Sequence, residues 1–280
     1  MEILSIDVGI KNLAYTIIIF DASLSIPLSI KSWGIINLCK ETINCSYVTN
    51  KGICKSKARY GCKDNYYCKT HAKKSEFFLP ADCPTLTELK KYDLSKLQIL
   101  AKKYNLNACQ SKTHLAKSIK NFYSDNVLKI VNNENANTIE LPELARSIMK
   151  KLDAKFPSYP GLKTVLIENQ ISTVASRMKS IQSMLTQYFI MRIPDINVIY
   201  VSSINKLKYI HGNKNTYEER KKLSIVSTKK LIENIAPTFK EFYMNSTKQD
   251  DLADALLQVY WYLIDKKLLD NIFIDADYLE

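Results

Sequence analysis

The sequence predicts an α/β fold interrupted by a basic insertion, and three observations carry that expectation. Apolar strand-like runs follow one another over the first forty residues. From about residue 139 onward helical and strand periodicities alternate, as they do in α/β sheets. The stretch between them breaks both patterns. The chain has 280 residues, 46% hydrophobic and 24% charged, which suits a folded protein with a real core rather than a disordered or disulfide-held chain. No apolar run reaches the roughly 20 residues of a membrane-spanning helix, so no membrane partner is expected.

Taken in order, Ile3-Leu4-Ser5-Ile6-Asp7-Val8 reads as a buried strand ended by Gly9, Leu13–Phe20 as a second and Ile30–Leu38 as a third. Residues 1–38 and 139–280 are assigned to one core. Residues 39–84, rich in Cys, Lys, Gly and Tyr, read as a small module held by something other than apolar packing. Over 85–124 helical spacing returns, with Leu94, Leu97, Leu100 and Ala101 on one face and Leu115 and Ile119 on another, which predicts two short helices. Residues 125–138, rich in Asn, read as a linker. Beyond it, Leu141–Leu152 is expected to be helical with Pro142 in its first turn, Thr164–Ile167 a strand, Ala175–Arg192 a helix and Asn197–Val201 a strand. Tyr217–Ile235 and Leu252–Lys266 are expected to close the chain as helices.

Forty Lys and Arg against 28 Asp and Glu give a net charge of +12. Residues 40–122 alone carry +11, so the basicity belongs to the insertion and points to a polyanionic partner, nucleic acid above all. A second basic run from Lys206 to Lys230 offers Lys206, Lys208, Arg220 and Lys221 as phosphate contacts.

The acids lie at unusual points. Asp7 interrupts the first strand, Glu168 ends the apolar run Val165-Leu166-Ile167, and Asp250, Asp251 and Asp254 open an apolar helix. On that helix Asp254 shares a face with both Asp250 and Asp251. Brought together, such acids would repel unless a cation held them, and Mg²⁺, with Mn²⁺ as a substitute, is the natural one. Two such ions can activate water and stabilise the leaving oxygen of a phosphodiester without any Ser, Cys or His nucleophile. The plainer alternatives are that Asp250 and Asp251 cap a helix, Asp7 caps a turn and Glu168 pairs with a Lys.

Seven cysteines without a secretory signal argue for reduced thiols and metal binding. Cys45-x8-Cys54-x13-Cys68-x2-His71 has the spacing of a tetrahedral Zn²⁺ site, with Cys62 as an alternate ligand. Four protein ligands leave no open position, so the zinc would be structural. Cys39, Cys83 and Cys109 read as ordinary small apolar residues.

Three strings, Ser5-Ile6-Asp7-Val8-Gly9-Ile10-Lys11-Asn12-Leu13-Ala14, Ile167-Glu168-Asn169-Gln170 with Arg177 following, and Lys248 to Ala255, resemble the motif blocks of the RuvC-like Holliday-junction resolvases, above all the mitochondrial and poxviral branch. That resemblance implies an RNase H-like mixed sheet flanked by helices, a homodimer, and Mg²⁺-dependent symmetric nicking of four-way DNA junctions. It makes Asp7, Glu168, Asp254 and one of Asp250 or Asp251 the metal ligands. Asp251 has the spacing of bacterial members and Asp250 that of some mitochondrial relatives. Gln170 and Arg177 would contact DNA near the junction centre.

Residues 94–119 resemble the SAP motif, a small helical DNA-binding unit, and would place Lys102, Lys103, Lys112 and Lys117 on phosphates. The Cys/His run resembles small Cys3His zinc modules of large-virus proteins. Two other readings stand beside the resolvase: another RNase H-fold nuclease, of ribonuclease H or transposon type, and a non-catalytic zinc and SAP DNA-binding adaptor. The N-terminus shows no secretory or mitochondrial presequence and the Lys, Asn, Ile and Tyr content fits an AT-rich genome. An intracellular setting, cytoplasmic if viral, is therefore expected.

Overall fold

The computed structural model describes residues 1–39, 42–107, 111–133, 136–159, 161–170, 176–210, 214 and 216–270. The chain divides into two compact units, Met1–Cys39 with Asn135–Glu280, and Lys40–Glu134. No helix among the described residues is long and apolar enough to cross a membrane.

The first unit opens with three antiparallel strands, β1 (Glu2–Val8), β2 (Asn12–Phe20) and β3 (Leu28–Asn37). The turn from β1 to β2 requires glycine, because a Cβ on Gly9 would lie 2.6 Å from the carbonyl oxygen of Asn12. Beyond β3, the ammonium of Lys151 bonds the carbonyls of Asn37 and Cys39 and fixes the point at which the chain leaves the unit.

The second unit holds the hairpin of β4 (Val48–Thr49) and β5 (Gly52–Ile53), then β6 (Tyr60–Cys62), β7 (Asn65–Tyr67) and the single-turn α1 (Lys69–Ala72). Three helices follow, α2 (Leu86–Lys91), α3 (Leu94–Lys103) and α4 (Lys112–Asn126), and then β8 (Lys129–Ile130), which joins a sheet ordered β7-β6-β8. Leu89, Leu97, Leu100, Ala101, Leu115, Ile119 and Tyr123 form the helical core. Two expectations are corrected here. The 85–124 segment has three helices rather than two, because Thr85 and Glu88 make a reciprocal capping box that starts a six-residue helix too short to show periodicity. Part of the expected linker 125–138 is structured, since Lys129–Ile130 pairs with β6 and Asn133 bonds the backbone of Ile43 and Ala58.

The chain returns to the first unit as α5 (Leu141–Lys155), β9 (Leu162–Glu168), α6 (Ser176–Arg192) and β10 (Asn197–Val201). A 3-10 turn (Ser203–Leu207) leads to α7 (Tyr217–Ile235), α8 (Lys240–Asn245) and α9 (Gln249–Asp265). The sheet is ordered β10-β9-β1-β2-β3, with β9 parallel to both β1 and β10. This mixed sheet flanked by helices is the architecture that the resemblance implies. Because β1 is central and covered on both faces, it reads as an almost continuous apolar run, and alternation decides which face each residue serves. Leu4, Ile6 and Val8 pack toward α5 and α6, with Leu144, Ile148, Leu152, Ile181 and Leu185. Ile3 packs on the opposite face, with Leu231, Leu252, Leu256 and Leu263 of α7 and α9. Gln258 of α9 donates to Ser5 Oγ at 3.0 Å on this second face, and Trp33 Nε1 donates to the Leu252 carbonyl at 3.1 Å.

Candidate functional site

Strand parity puts Asp7 on the α9 face of the sheet, with Ile3 and Ser5. On β9 Leu166 packs on that face while Val165 and Ile167 pack on the other, so Glu168 projects to the same side as Asp7. The parallel register pairs Ile6 with Ile167, which sets Asp7 and Glu168 beside one another at the carboxyl ends of adjacent strands. In open α/β sheets this is where ligands bind. Asp254, one turn into α9, completes the convergence.

The three carboxylates meet on one cation, the side chain of Lys206 from the 3-10 turn after β10. Its Nζ donates to Asp7 Oδ1 at 2.6 Å, Glu168 Oε1 at 3.0 Å and Asp254 Oδ2 at 3.1 Å. The Lys206 side chain is 3% exposed, against 16% for Asp7, 14% for Glu168 and 37% for Asp254. Burial pushes the Asp7 carboxyl up to about 7, with the charge of Glu168 adding to the rise and that of Lys206 opposing it. Burial likewise raises Asp254 to about 6, against the pull of Lys206. Burial works to lower the Lys206 ammonium, but the charges of Asp7, Asp254 and Glu168 outweigh it and hold its pKa above the usual lysine value. The expectation that Lys206 contacts phosphate from the surface is therefore corrected. A lysine this buried is stable only with paired acids, and it has three.

Gln170, expected at the DNA, is also turned inward. Its Nε2 donates to Glu168 Oε2 at 2.9 Å, and its backbone N–H donates to Oε1 of the buried Gln182 on α6 at 2.8 Å. The pair orients the glutamate. The Arg177 guanidinium donates to the carbonyl of Ile139. Of the two acids left open on α9, Asp250 is the one whose charge helps raise Asp254, and it accepts from Lys221 at 2.8 Å. Burial disfavours its ionised form, but the Lys221 bond and charge and backbone N–H groups prevail and hold it below the usual aspartate value. Asp251 instead pairs with Lys248 at 3.3 Å, one turn back. Lys221 is thus engaged with Asp250, Lys208 lies 3.9 Å from Asp265, and both, with Arg220, are exposed.

In the second unit, Cys45, Cys54, Cys68 and His71 bring their ligand atoms within 4.8 Å of one another. Cys45 Sγ and Cys68 Sγ each lie 3.4 Å from His71 Nδ1. Ligands on a tetrahedral zinc, with bonds of roughly 2.0–2.3 Å, are separated by about 3.3–3.8 Å, so the donors suit that ion. Cys68 caps α1 and His71 lies within it, so one helical turn presents both, while Cys45 and Cys54 flank the β4–β5 hairpin. Tyr47 stacks on the imidazole, centroids 4.2 Å apart. Cys62 is corrected as the alternate ligand. Its buried Sγ faces the carbonyls of Ser124 and Asp125, at 3.7 and 3.3 Å. Cys39 and Cys83 are buried, and Cys109 lies outside the described residues. Lys102, Lys103, Lys112 and Lys117 are all exposed on α3 and α4.

Lys206, which reads as a surface phosphate contact, and Gln182, which does not stand out in the sequence, are both buried. The available signal for Lys206 was its place shortly after a strand next to the acid-bearing one. Gln182 offered only a polar residue between Ile181 and Leu185 on the apolar face of α6.

Residues 3–172, more than half of the chain, match the family described as mitochondrial resolvase Ydc2 / RNA splicing MRS1. The chain is 30% identical to protein L451 of Acanthamoeba polyphaga mimivirus, over 94% of this chain and 74% of that protein. Among solved structures it is similar to the fowlpox virus resolvase bound to Holliday junction DNA, at 14% identity and a TM-score of 0.46, covering 96% of this chain and all of that one. It is also similar to the yeast mitochondrial Holliday junction resolvase Ydc2, at 14% identity and a TM-score of 0.40, covering 93% and 78%.

Proposed function

Since the chain belongs to the mitochondrial resolvase Ydc2 / RNA splicing MRS1 family, we propose that it is a structure-specific endonuclease that resolves four-way DNA junctions by paired symmetric nicks. The family name covers cutting and splicing. The observation that favours cutting is the convergence of Asp7, Glu168 and Asp254 on a single cation, with distances of 2.6–3.1 Å. Binding alone needs no such cluster of partly buried acids.

In this reading Asp7, Glu168 and Asp254 hold Mg²⁺, with Asp250, one turn before Asp254, as the fourth acid in place of Asp251. Carboxylates that already gather round an ammonium are suited to a hard divalent cation. When bound, the metal supplies an activated water and charge stabilisation for the leaving oxygen of a phosphodiester. Gln170 fixes the Glu168 carboxylate through Oε2 and leaves Oε1 directed into the cluster. Gln182 holds the backbone of Gln170 in turn, and support of this kind orients first-contact ligands. Lys208 and Arg220 offer exposed charge to the backbone of the DNA, and Lys102, Lys103, Lys112 and Lys117 offer it from the second unit. A structural Zn²⁺ on Cys45, Cys54, Cys68 and His71 would tie the hairpin to α1. Symmetric cutting of two strands calls for a homodimer with two such sites. The mimivirus relative supports a viral setting inside the host cell.

The test is incubation of an end-labelled four-way junction, a linear duplex and an RNA–DNA hybrid with the protein in Mg²⁺ or in EDTA. Paired symmetric nicks confined to the junction and abolished by EDTA are expected. Cleavage of the hybrid would instead move the assignment to a ribonuclease H, and binding without cleavage of any substrate would leave the adaptor reading.

A further inference from the structure

The Lys206 ammonium has three N–H donors, and the three acids of the candidate active site take all of them. The three oxygens lie 2.6, 3.0 and 3.1 Å from Nζ and on different elements, β1, β9 and α9. A Mg²⁺ ion held by the same oxygens would sit about 2.1 Å from each. That places the ion in the volume that the ammonium fills, so both cannot be bound to this oxygen set at once. We propose that Lys206 is a built-in counter-ion that occupies a divalent-cation position in the metal-free protein and is exchanged for the ion when the site loads.

The proposal rests on the reading of Asp7, Glu168 and Asp254 as metal ligands and says how that set exists before metal arrives. Three carboxylates brought this close in a largely buried site would otherwise repel and separate. A lysine suits the task better than an arginine. Its compact point charge fits one position among three acids, and its four-carbon stem lets the head group withdraw without moving the backbone. The same geometry sets a condition on loading. An incoming ion must overcome the three hydrogen bonds of Lys206, and the displaced ammonium needs another anion. The phosphate of a bound nucleic acid supplies one, so metal and DNA binding should each strengthen the other. Lys206 is on this basis a positioning residue for the ligand set.

The experiment uses full-length protein with ¹⁵N-lysine labelling and no DNA. The Nζ resonance of Lys206, identified by its loss in Lys206→Arg, is followed while Mg²⁺ is added, and binding of the ion is measured separately by calorimetry. Protected Nζ protons are expected without metal, with loss of that protection as the ion saturates. Calorimetry on Lys206→Met should show affinity for Mg²⁺ raised by about tenfold or more, with Lys222→Met, at an exposed lysine of α7, close to wild type as a control for the loss of one charge. Mg²⁺ binding that leaves the Nζ signal unchanged would overturn the exchange while leaving the metal-ligand reading intact. Failure of Mg²⁺ to bind wild type and Lys206→Met alike would overturn both.

Discussion

Asp7 and Glu168 stand at the carboxyl ends of neighbouring parallel strands, on one face of the sheet, and share the ammonium of Lys206 at 2.6 and 3.0 Å. The pair is a consequence of register. With Ile6 opposite Ile167, each next residue turns to the α9 face, and a slip by one position would send one of the acids to the opposite side. Asp254 then arrives from α9, whose apolar side is fixed against β1 by the Gln258–Ser5 bond and by the packing of Leu252 and Leu256.

The pH dependence of stability follows from the raised carboxyls. Asp7 and Asp254 move from the ordinary value of 3.8 to about 7 and about 6 on folding. Between those values the folded chain binds more protons than the unfolded one, so this site makes stability highest near the acid end of that window and lowers it as pH rises through about 7. Thermal unfolding in Mg²⁺-free buffer from pH 4.5 to 7.5 should show that decline in wild type and a flatter profile in Asp7→Asn. Equal slopes would contradict it.

Gly9→Ala tests the turn that delivers Asp7. The added Cβ would meet the Asn12 carbonyl at 2.6 Å, so the β1–β2 turn has to open. A loss of about 1–3 kcal/mol is expected from overpacking of this kind, read as a lower denaturant midpoint with an unchanged slope.

Gln170 distinguishes orientation of Glu168 from direct contact with DNA. Its amide is spent on Glu168 Oε2. Gln170→Ala should therefore slow junction cleavage about 10–100-fold, the usual cost of losing such a support, while gel-shift affinity for the junction stays near wild type. A matching fall in affinity would favour the DNA-contact role.

The cysteine cluster predicts about one zinc per chain by elemental analysis. Cys45→Ser and Cys68→Ser should lose it. Cys62→Ser should keep it, because that thiol faces the backbone of Ser124 and Asp125 instead. Loss of zinc in Cys62→Ser alone would refute the ligand assignment.

The acids stand out in the sequence because each breaks a local rule: Asp7 interrupts an apolar strand, Glu168 ends one, and Asp254 lies one turn into an apolar helix. The strand Asn197–Val201 and the helix Tyr217–Ile235 were legible from local pattern alone. Lys206 was not. It opens a basic run and looks like its neighbours, and its burial depends on acids 38, 48 and 199 positions away, a relation no local pattern encodes. The inward bonds of Gln170, its amide on Glu168 and its backbone N–H on Gln182 of the next helix, are set by the fold rather than by any local pattern. The strand Lys129–Ile130 is two residues long, below the length at which alternation can be seen, and only its pairing with Tyr60 and Gly61 defines it.

The deciding measurement compares wild type with Asp7→Asn and Asp254→Asn on one end-labelled four-way junction in Mg²⁺, with cleavage and binding read on the same samples. Paired symmetric nicks by wild type, their loss in both variants and retention of junction binding are the expected result. Undiminished cutting by either variant would contradict the assignment of these carboxylates to the chemistry.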